Sequence, residues 1–361
     1  MENITMSRKI LTSILIPVIL LVLLAGCSKK MHKTVAWKDV IIYPTPPDTA
    51  RIQFLTSFSS SENTTGKQSA FSRFIFGDSP AKPIQKPYGI AVHGGKIYIC
   101  DTGLGLIEVI DLEKNSFYYF DPQGSGKLKL PLNCCVDDSG KLYVADGLRM
   151  QVVVFDSNGN YSCAFGESKN FKPTDVFVTD NKIWVSNIKN NKINVYRKDT
   201  HELLNTFPDT EQGEPGYLYS PANIFVSSDK VYVSDMGDFN VKIFNREGKY
   251  LSTVGGNGSG LGQFARPKGI AVDNDENLYV VDASFENTQI FNKDGHVLLF
   301  FGGPYRGPGD MWLPAKVTID YDNLKYFQKY VDQAFQLNYL IFVTNQYGPD
   351  KVNVYGAIRP K

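Results

Sequence analysis

One phrase recurs six times along this chain. It is a proline, a short apolar run, a polar turn, then aliphatic–aromatic–aliphatic–small–acid. The opening prolines are Pro87, Pro131, Pro173, Pro221, Pro267 and Pro314, at intervals of 42 to 48 residues. The first copy runs from Pro87-Tyr88-Gly89-Ile90-Ala91-Val92 into Ile97-Tyr98-Ile99-Cys100-Asp101, and the fifth closes on Leu278-Tyr279-Val280-Val281-Asp282. A period in the forties with several short strands per unit is the signature of propeller blades. The expected fold is therefore all-β, a six-bladed β-propeller.

A blade needs four strands. The third is read after each acid, as at Gln151–Phe155 and Val241–Phe244. The fourth follows a turn such as Asp156-Ser157-Asn158-Gly159. The sixth unit runs out at Lys361 before a fourth strand. Residues 51–58 alternate Ile52, Phe54 and Phe58 and read as the strand that closes the last blade, removing an open sheet edge. Two insertions are expected. Residues 60–86 hold a polar stretch and Phe71-Ser72-Arg73-Phe74-Ile75-Phe76-Gly77, read as a helix or turn on a rim. Residues 323–338 space Leu324, Phe327, Tyr330, Val331, Ala334 and Phe335 as an amphipathic helix, covering the ring's seam or binding a ligand.

Arg8 and Lys9 precede an apolar run from Ile10 to Ala25 that is too short and too broken for a comfortable membrane span. It ends in Leu24-Ala25-Gly26-Cys27, which resembles the lipobox of bacterial lipoproteins. The resemblance implies a signal peptide over 1–26, lipidation of Cys27, and membrane attachment by acyl chains. Ser28 in place of aspartate points to the outer rather than the inner membrane, by likeness to lipoprotein sorting. Residues 27–50 read as a tether whose end, Pro44-Thr45-Pro46-Pro47, favours extended polyproline geometry. The body expected to follow is 51–361.

Net charge is +1, so no global field invites nucleic acid. Besides Cys27 there are Cys100, Cys134, Cys135 and Cys163, none at metal-ligand spacing. Pairing of Cys100 or Cys163 within neighbouring blades stays open beside the reading of small buried hydrophobes.

The blades resemble the NHL-repeat family. Arg266-Pro267-Lys268-Gly269-Ile270-Ala271-Val272-Asp273 with Asn277-Leu278-Tyr279-Val280-Val281-Asp282 is the nearest copy of its pattern. With the lipobox and the Pro-rich entry, the chain resembles six-bladed NHL lipoproteins of bacteria. That resemblance implies a place in the cell envelope beside a cytochrome or export assembly; the expected function is a non-catalytic protein-binding scaffold, monomeric on its own.

Chemistry in a propeller sits at a mouth of the central channel. The residue two after each proline gives a ring of Gly89, Asn133, Asp175, Asn223, Gly269 and Lys316. Asn133, Asp175, Asn223 and Lys316 could bind a small polar ligand or a cation, or could cap backbone amides and hold channel water. Gluconolactonase-like propellers hold a divalent cation with Glu, Asp and Asn. A cation-dependent hydrolase or lyase is therefore the alternative function, with calcium as its candidate ion; otherwise no cofactor is expected. His93, His201 and His296 do not converge as zinc-dependent lyases of this fold require.

The run Asp273-Asn274-Asp275-Glu276-Asn277 reads as a hairpin turn rather than a calcium loop. Asp101, Asp146, Asp235 and Asp282, with Asn187 and Asn345, end a strand in every blade; six copies argue for a turn role rather than one active site. In the loops beyond them, Leu104, Leu148, Met236, Phe239, Phe285 and Tyr347 share one face with Arg149. They suit a protein partner, and equally could tuck onto neighbouring blades.

Overall fold

Each inner strand begins on its proline: Pro87–His93, Pro131–Val136, Pro173–Val178, Pro221–Val226, Pro267–Val272 and Pro314–Asp320. Proline cannot donate to a ladder, and the first residue of an edge strand is where that loss is tolerated. A computed structural model of the chain describes residues 40–65, 80–166, 169–179 and 181–361. The lipobox, the signal segment and the 71–77 stretch lie outside the described residues.

The described chain is a six-bladed propeller. Blades one to five are four-stranded antiparallel sheets, each built from consecutive strands. Blade three shows the plan: Pro173–Val178, Lys182–Asn187, Lys192–Arg197 and Leu203–Phe207. Its second strand, Ile-Trp-Val-Ser-Asn after Lys182, is buried throughout, and its fourth is exposed over most of its length. The core lies between blades. Cys100, Ile107 and Val109 of blade one pack on Leu142, Val144 and Val153 of blade two. Trp184 and Val195 of blade three pack on Val231, Val233 and Phe244 of blade four. β-branched and aromatic side chains suit such two-sided burial.

Blade six joins the two ends of the described chain. Its sheet runs Ile42–Tyr43, Ile52–Phe58, Val352–Pro360, Phe335–Asn345, Pro314–Asp320. The closing strand is thus residues 52–58, with Ile52 opposite Ala357 and Phe58 opposite Val352. Its alternation is interrupted. A register shift between Phe54 and Thr56 turns Leu55 into the buried phase.

Two expectations need correction. The Pro-rich end of the tether does not extend away from the body. Ile42–Tyr43 pairs with the closing strand as a fifth strand, Ile42 against Gln53. The Tyr43 ring packs on Phe301 and Tyr355, and its hydroxyl donates to Gly309 O at 2.9 Å. The second correction concerns 323–338. Helical turns span only Leu324–Phe327 and Gln328–Tyr330, and Phe335 already begins a strand. The long last strand reaches Pro360 and offers Phe335 and Gln336 ladder partners in Pro360 and Arg359. Those backbone bonds outweigh the helical spacing of the side chains.

The short helix covers the seam. Phe327 is buried with its ring 6.4 Å from Phe58 of the closing strand and 5.7 Å from Phe342. Gln53 donates to Tyr330 O at 2.9 Å and accepts from Asp332 N at 3.1 Å.

Candidate functional site: the channel and the loop face

Antiparallel strands in this order put the turn between strands two and three on the same face as the crossover into the next blade. The strand-end acids fasten these two loops together. Asp101 Oδ2 accepts from the amides of Gln85 and Lys86, and Oδ1 from Gly103 and Leu104. Asp146 does the same with Lys129, Leu130, Leu148 and Arg149. Asp282 binds Ala265, Arg266, Ser284 and Phe285. Asn187 and Asn345 offer one oxygen to the same amides. These acids build the loop face and are not free for chemistry.

In every blade the ladder slips in register just after the proline. Such a bulge re-aims the side chain beside it, here the ring residues. Asn133, Asp175 and Asn223 are fully buried and Lys316 nearly so. The Lys316 ammonium lies 2.5 Å from Asp175 Oδ2 and donates to Asn223 Oδ1 at 2.9 Å. Asp175 also accepts from the amides of Ile224 and Val176 at 3.0 and 2.9 Å. Asn133 Nδ2 donates to Thr174 O at 2.7 Å and reaches Asn223 Oδ1 at 3.5 Å. Burial pushes the Asp175 carboxyl upward, and Lys316 with the two amides pulls against that.

The two glycines of the ring set its shape. A Cβ on Gly269 would sit 2.5 Å from Lys316 Cα, and one on Gly89 2.5 Å from Asn133 Cα. Glycine lets the inner strands of blades five and six, and of one and two, approach closely.

The expected calcium donors therefore already face a cation. Lys316 occupies the Asp175–Asn223 pair, and among the described residues no group of three or more His, Cys, Asp or Glu could hold a metal ion. Beyond this plug the channel widens into a cavity of about 290 Å³ lined by Cys135, Phe177, Phe225, Thr318, Ile319 and Tyr321 among others. Its walls carry no acid–base pair. Asp273 spends one oxygen on the amides of Asp275 and Asn277 and the other on Asn277 Nδ2 and the Tyr339 hydroxyl, so the acidic run forms a turn. Cys100, Cys134, Cys135 and Cys163 are free thiols.

Of the loop-face candidates, Leu148 is 59% exposed and Tyr347 46%. Leu104, Met236, Phe239 and Phe285 are half-buried. Arg149 is not a free charge: its guanidinium donates to Ser125 O and Lys127 O and to Gln151 Oε1, pinning the crossover that enters its own blade. Trp312, 47% exposed beside Tyr347, was missed because it lies in a crossover outside the repeat.

Two buried charges were missed as well. Lys268 is 3% exposed and stands where other blades carry Leu132, Thr174, Ala222 and Ala315. A lysine in that uncharged series was the available signal. Glu108 is fully buried on the third strand of blade one, and neither carboxyl oxygen has a hydrogen-bond partner. Burial, then Asp101, pushes its carboxyl up to about 11.

Residues 216–356 match a family model described as a 6-bladed beta-propeller. No curated protein matches the chain. Among solved structures, a gluconolactonase from Xanthomonas campestris is similar, with TM-score 0.54, 14% identity, and 76% of this chain and 87% of that chain covered. A Bacteroides thetaiotaomicron protein of unknown function gives TM-score 0.55 and 16% identity over 85% of this chain and 76% of that one. Virginiamycin B lyase from Staphylococcus aureus gives TM-score 0.51 and 16% identity over 76% and 95%. At these identities the likeness shows the shared architecture alone.

Proposed function

We propose that this chain is a non-catalytic binding propeller of the bacterial envelope. In this reading it is lipidated at Cys27, seated at the outer membrane, and presents its loop face to a protein partner. The anchor rests on the Leu24-Ala25-Gly26-Cys27 resemblance, as does the NHL reading on the repeat phrases. A cytochrome or export assembly as the partner rests on that family resemblance.

The observation that carries the non-catalytic part is the Lys316 ammonium set against Asp175 and Asn223. A hydrolase of gluconolactonase type needs those oxygens for a divalent ion. Here the chain supplies its own cation, and an ion would have to displace a buried ion pair. The partner part is supported by Leu148, Trp312 and Tyr347, large apolar side chains exposed in the loops of one face with lysine and arginine beside them. The alternative, a cation-dependent hydrolase or lyase at the channel mouth, draws on the fold it shares with the gluconolactonase and the lyase. It requires Asp175 to leave Lys316.

Crosslinking in intact membranes tests the reading. The wild-type chain should give a discrete adduct. The Leu148→Ser/Tyr347→Ser variant should lose most of it with an unchanged melting temperature, because both side chains are exposed. An adduct indifferent to these substitutions removes the loop face as the interface. Lactone hydrolysis abolished by Asp175→Asn would replace the scaffold with the enzyme.

A further inference from the structure

Lys268 and Tyr88 each follow the proline of an inner strand, in blades five and one. Those blades are not neighbours; blade six stands between them, with Ala315 at the same position. Yet the Lys268 ammonium lies 5.1 Å from the centre of the Tyr88 ring. The two side chains therefore meet in front of blade six, over the proline end of the channel.

Lys268 is almost wholly buried, and among the described residues no carboxylate answers it. Among the described residues its ammonium has no hydrogen-bond acceptor, and it lies over the Tyr88 ring. The charges nearest to it are Arg266 and Lys86, both positive, and with burial acting first they hold its pKa down to about 8. Arg266 is exposed, Lys86 half-buried, and among the described residues neither side chain has a carboxylate partner. Lys86 lies over the ring of Tyr347, 5.3 Å from its centre. Burial, then Asp175, raises the Tyr88 phenol to about 12, so it stays a neutral donor. The lysine is buried along its length and its ammonium is left without a counterion, whereas charges this deep are ordinarily paired. Lys86 and Arg266 directly precede the prolines of the same two inner strands, so three cations and a phenol gather at the proline end, an environment that an oxyanion satisfies with charge-assisted hydrogen bonds.

We propose that Lys268, Arg266, Lys86 and Tyr88 form a binding site for a small oxyanion, a carboxylate or phosphate group, at the loop-face mouth of the channel. Lys268 is the buried anchor, Tyr88 the neutral donor, and Arg266 and Lys86 the rim. The site lies on the loop-face side of the Lys316–Asp175 plug, opposite the cavity, on the same face as Leu148 and Tyr347, and does not depend on a macromolecular partner.

Titration calorimetry of the full chain with inorganic phosphate, in a buffer of low ionic strength, tests this. One saturable site is expected. Lys268→Met should weaken it about tenfold or more, the loss of one charged hydrogen bond. The methionine keeps the volume and removes an unpaired charge, so the fold should not weaken. Arg266→Gln, on an exposed side chain, should weaken binding several-fold, and Lys293→Met, on the opposite face, should leave it unchanged. Absence of saturable phosphate binding overturns the proposal. So does a Lys268→Met variant that binds phosphate as tightly as wild type.

Discussion

Lys316 of blade six and Asp175 of blade three meet across the propeller axis at 2.5 Å. Blades three and six stand opposite each other in a ring of six, so this one contact spans the full width of the channel. It does so while each partner also binds its own surroundings, Asn223 on one side and the amides of Ile224 and Val176 on the other. The polar ring is a plug that fastens the two halves of the ring together.

Lys316→Met should therefore cost more than a surface change. It leaves the Asp175 charge buried beside apolar walls, a loss of about 3–5 kcal/mol. The double variant Lys316→Met/Asp175→Asn should recover most of it, since no charge is then stranded. Denaturant midpoints of wild type, Lys316→Met, Asp175→Asn and the double variant give the coupling. The same series tests the cation reading. Calcium should leave the wild-type melting temperature unmoved and raise that of Lys316→Met, where Asp175 is released for an ion. Calcium stabilisation of wild type would show that the ammonium does not hold the site.

Glu108 should give the protein an unusual pH dependence. In the fold it keeps its proton to about pH 11; in the unfolded chain the carboxyl loses it near pH 4.3. The folded state thus holds one extra proton across that window. Its stabilising contribution is complete below the unfolded value and declines as pH rises above it. Glu108→Gln removes the titration. The variant should be more stable than wild type at pH 8, by up to about 5 kcal/mol, and nearly equal at pH 4. Urea midpoints at the two pH values decide it. Parallel midpoints for wild type and Glu108→Gln would mean that Glu108 is charged when folded.

The blades were legible because each is written twice over. Pro221 and Asp235 fix the two ends of one hairpin, and the apolar run between them fixes its phase; the ladder pairs those two residues directly. The ring around Asp175 was legible for the same reason, since counting from a proline locates a backbone position in every blade. What counting cannot supply is reach. A lysine side chain spans several ångströms, so neither the Lys316–Asp175 contact nor the meeting of Lys268 with Tyr88 follows from register. Phe335 shows the other limit. Its helical spacing from Val331 was real, but the partner that draws it into a strand, Pro360, lies 25 residues on in the sequence. Ile42–Tyr43 was hidden likewise, because a two-residue strand leaves no periodic trace.

Phe327 should hold the ring shut. Its ring is buried between Phe58 of the closing strand and Phe342 of the strand paired to blade six's inner edge. Removing a buried phenyl costs about 3–5 kcal/mol, with the spread set by how far the site can collapse. Here collapse is restricted, because the helical turn is also tied to Gln53 by two hydrogen bonds. The loss should be local before it is global. The closing strand belongs to the sequence start, whereas its neighbour Val352–Pro360 belongs to the end, so no short connection joins them and non-covalent contacts such as this aromatic cover keep it in place. Local opening follows where apolar cover is thin. In Phe327→Ala, amide exchange over residues 52–58 should speed up well before that of the second and third strands of blades two to four. Uniformly faster exchange throughout the propeller would instead mean that the seam and the blades open as one unit, and that Phe327 has no special hold on the closure.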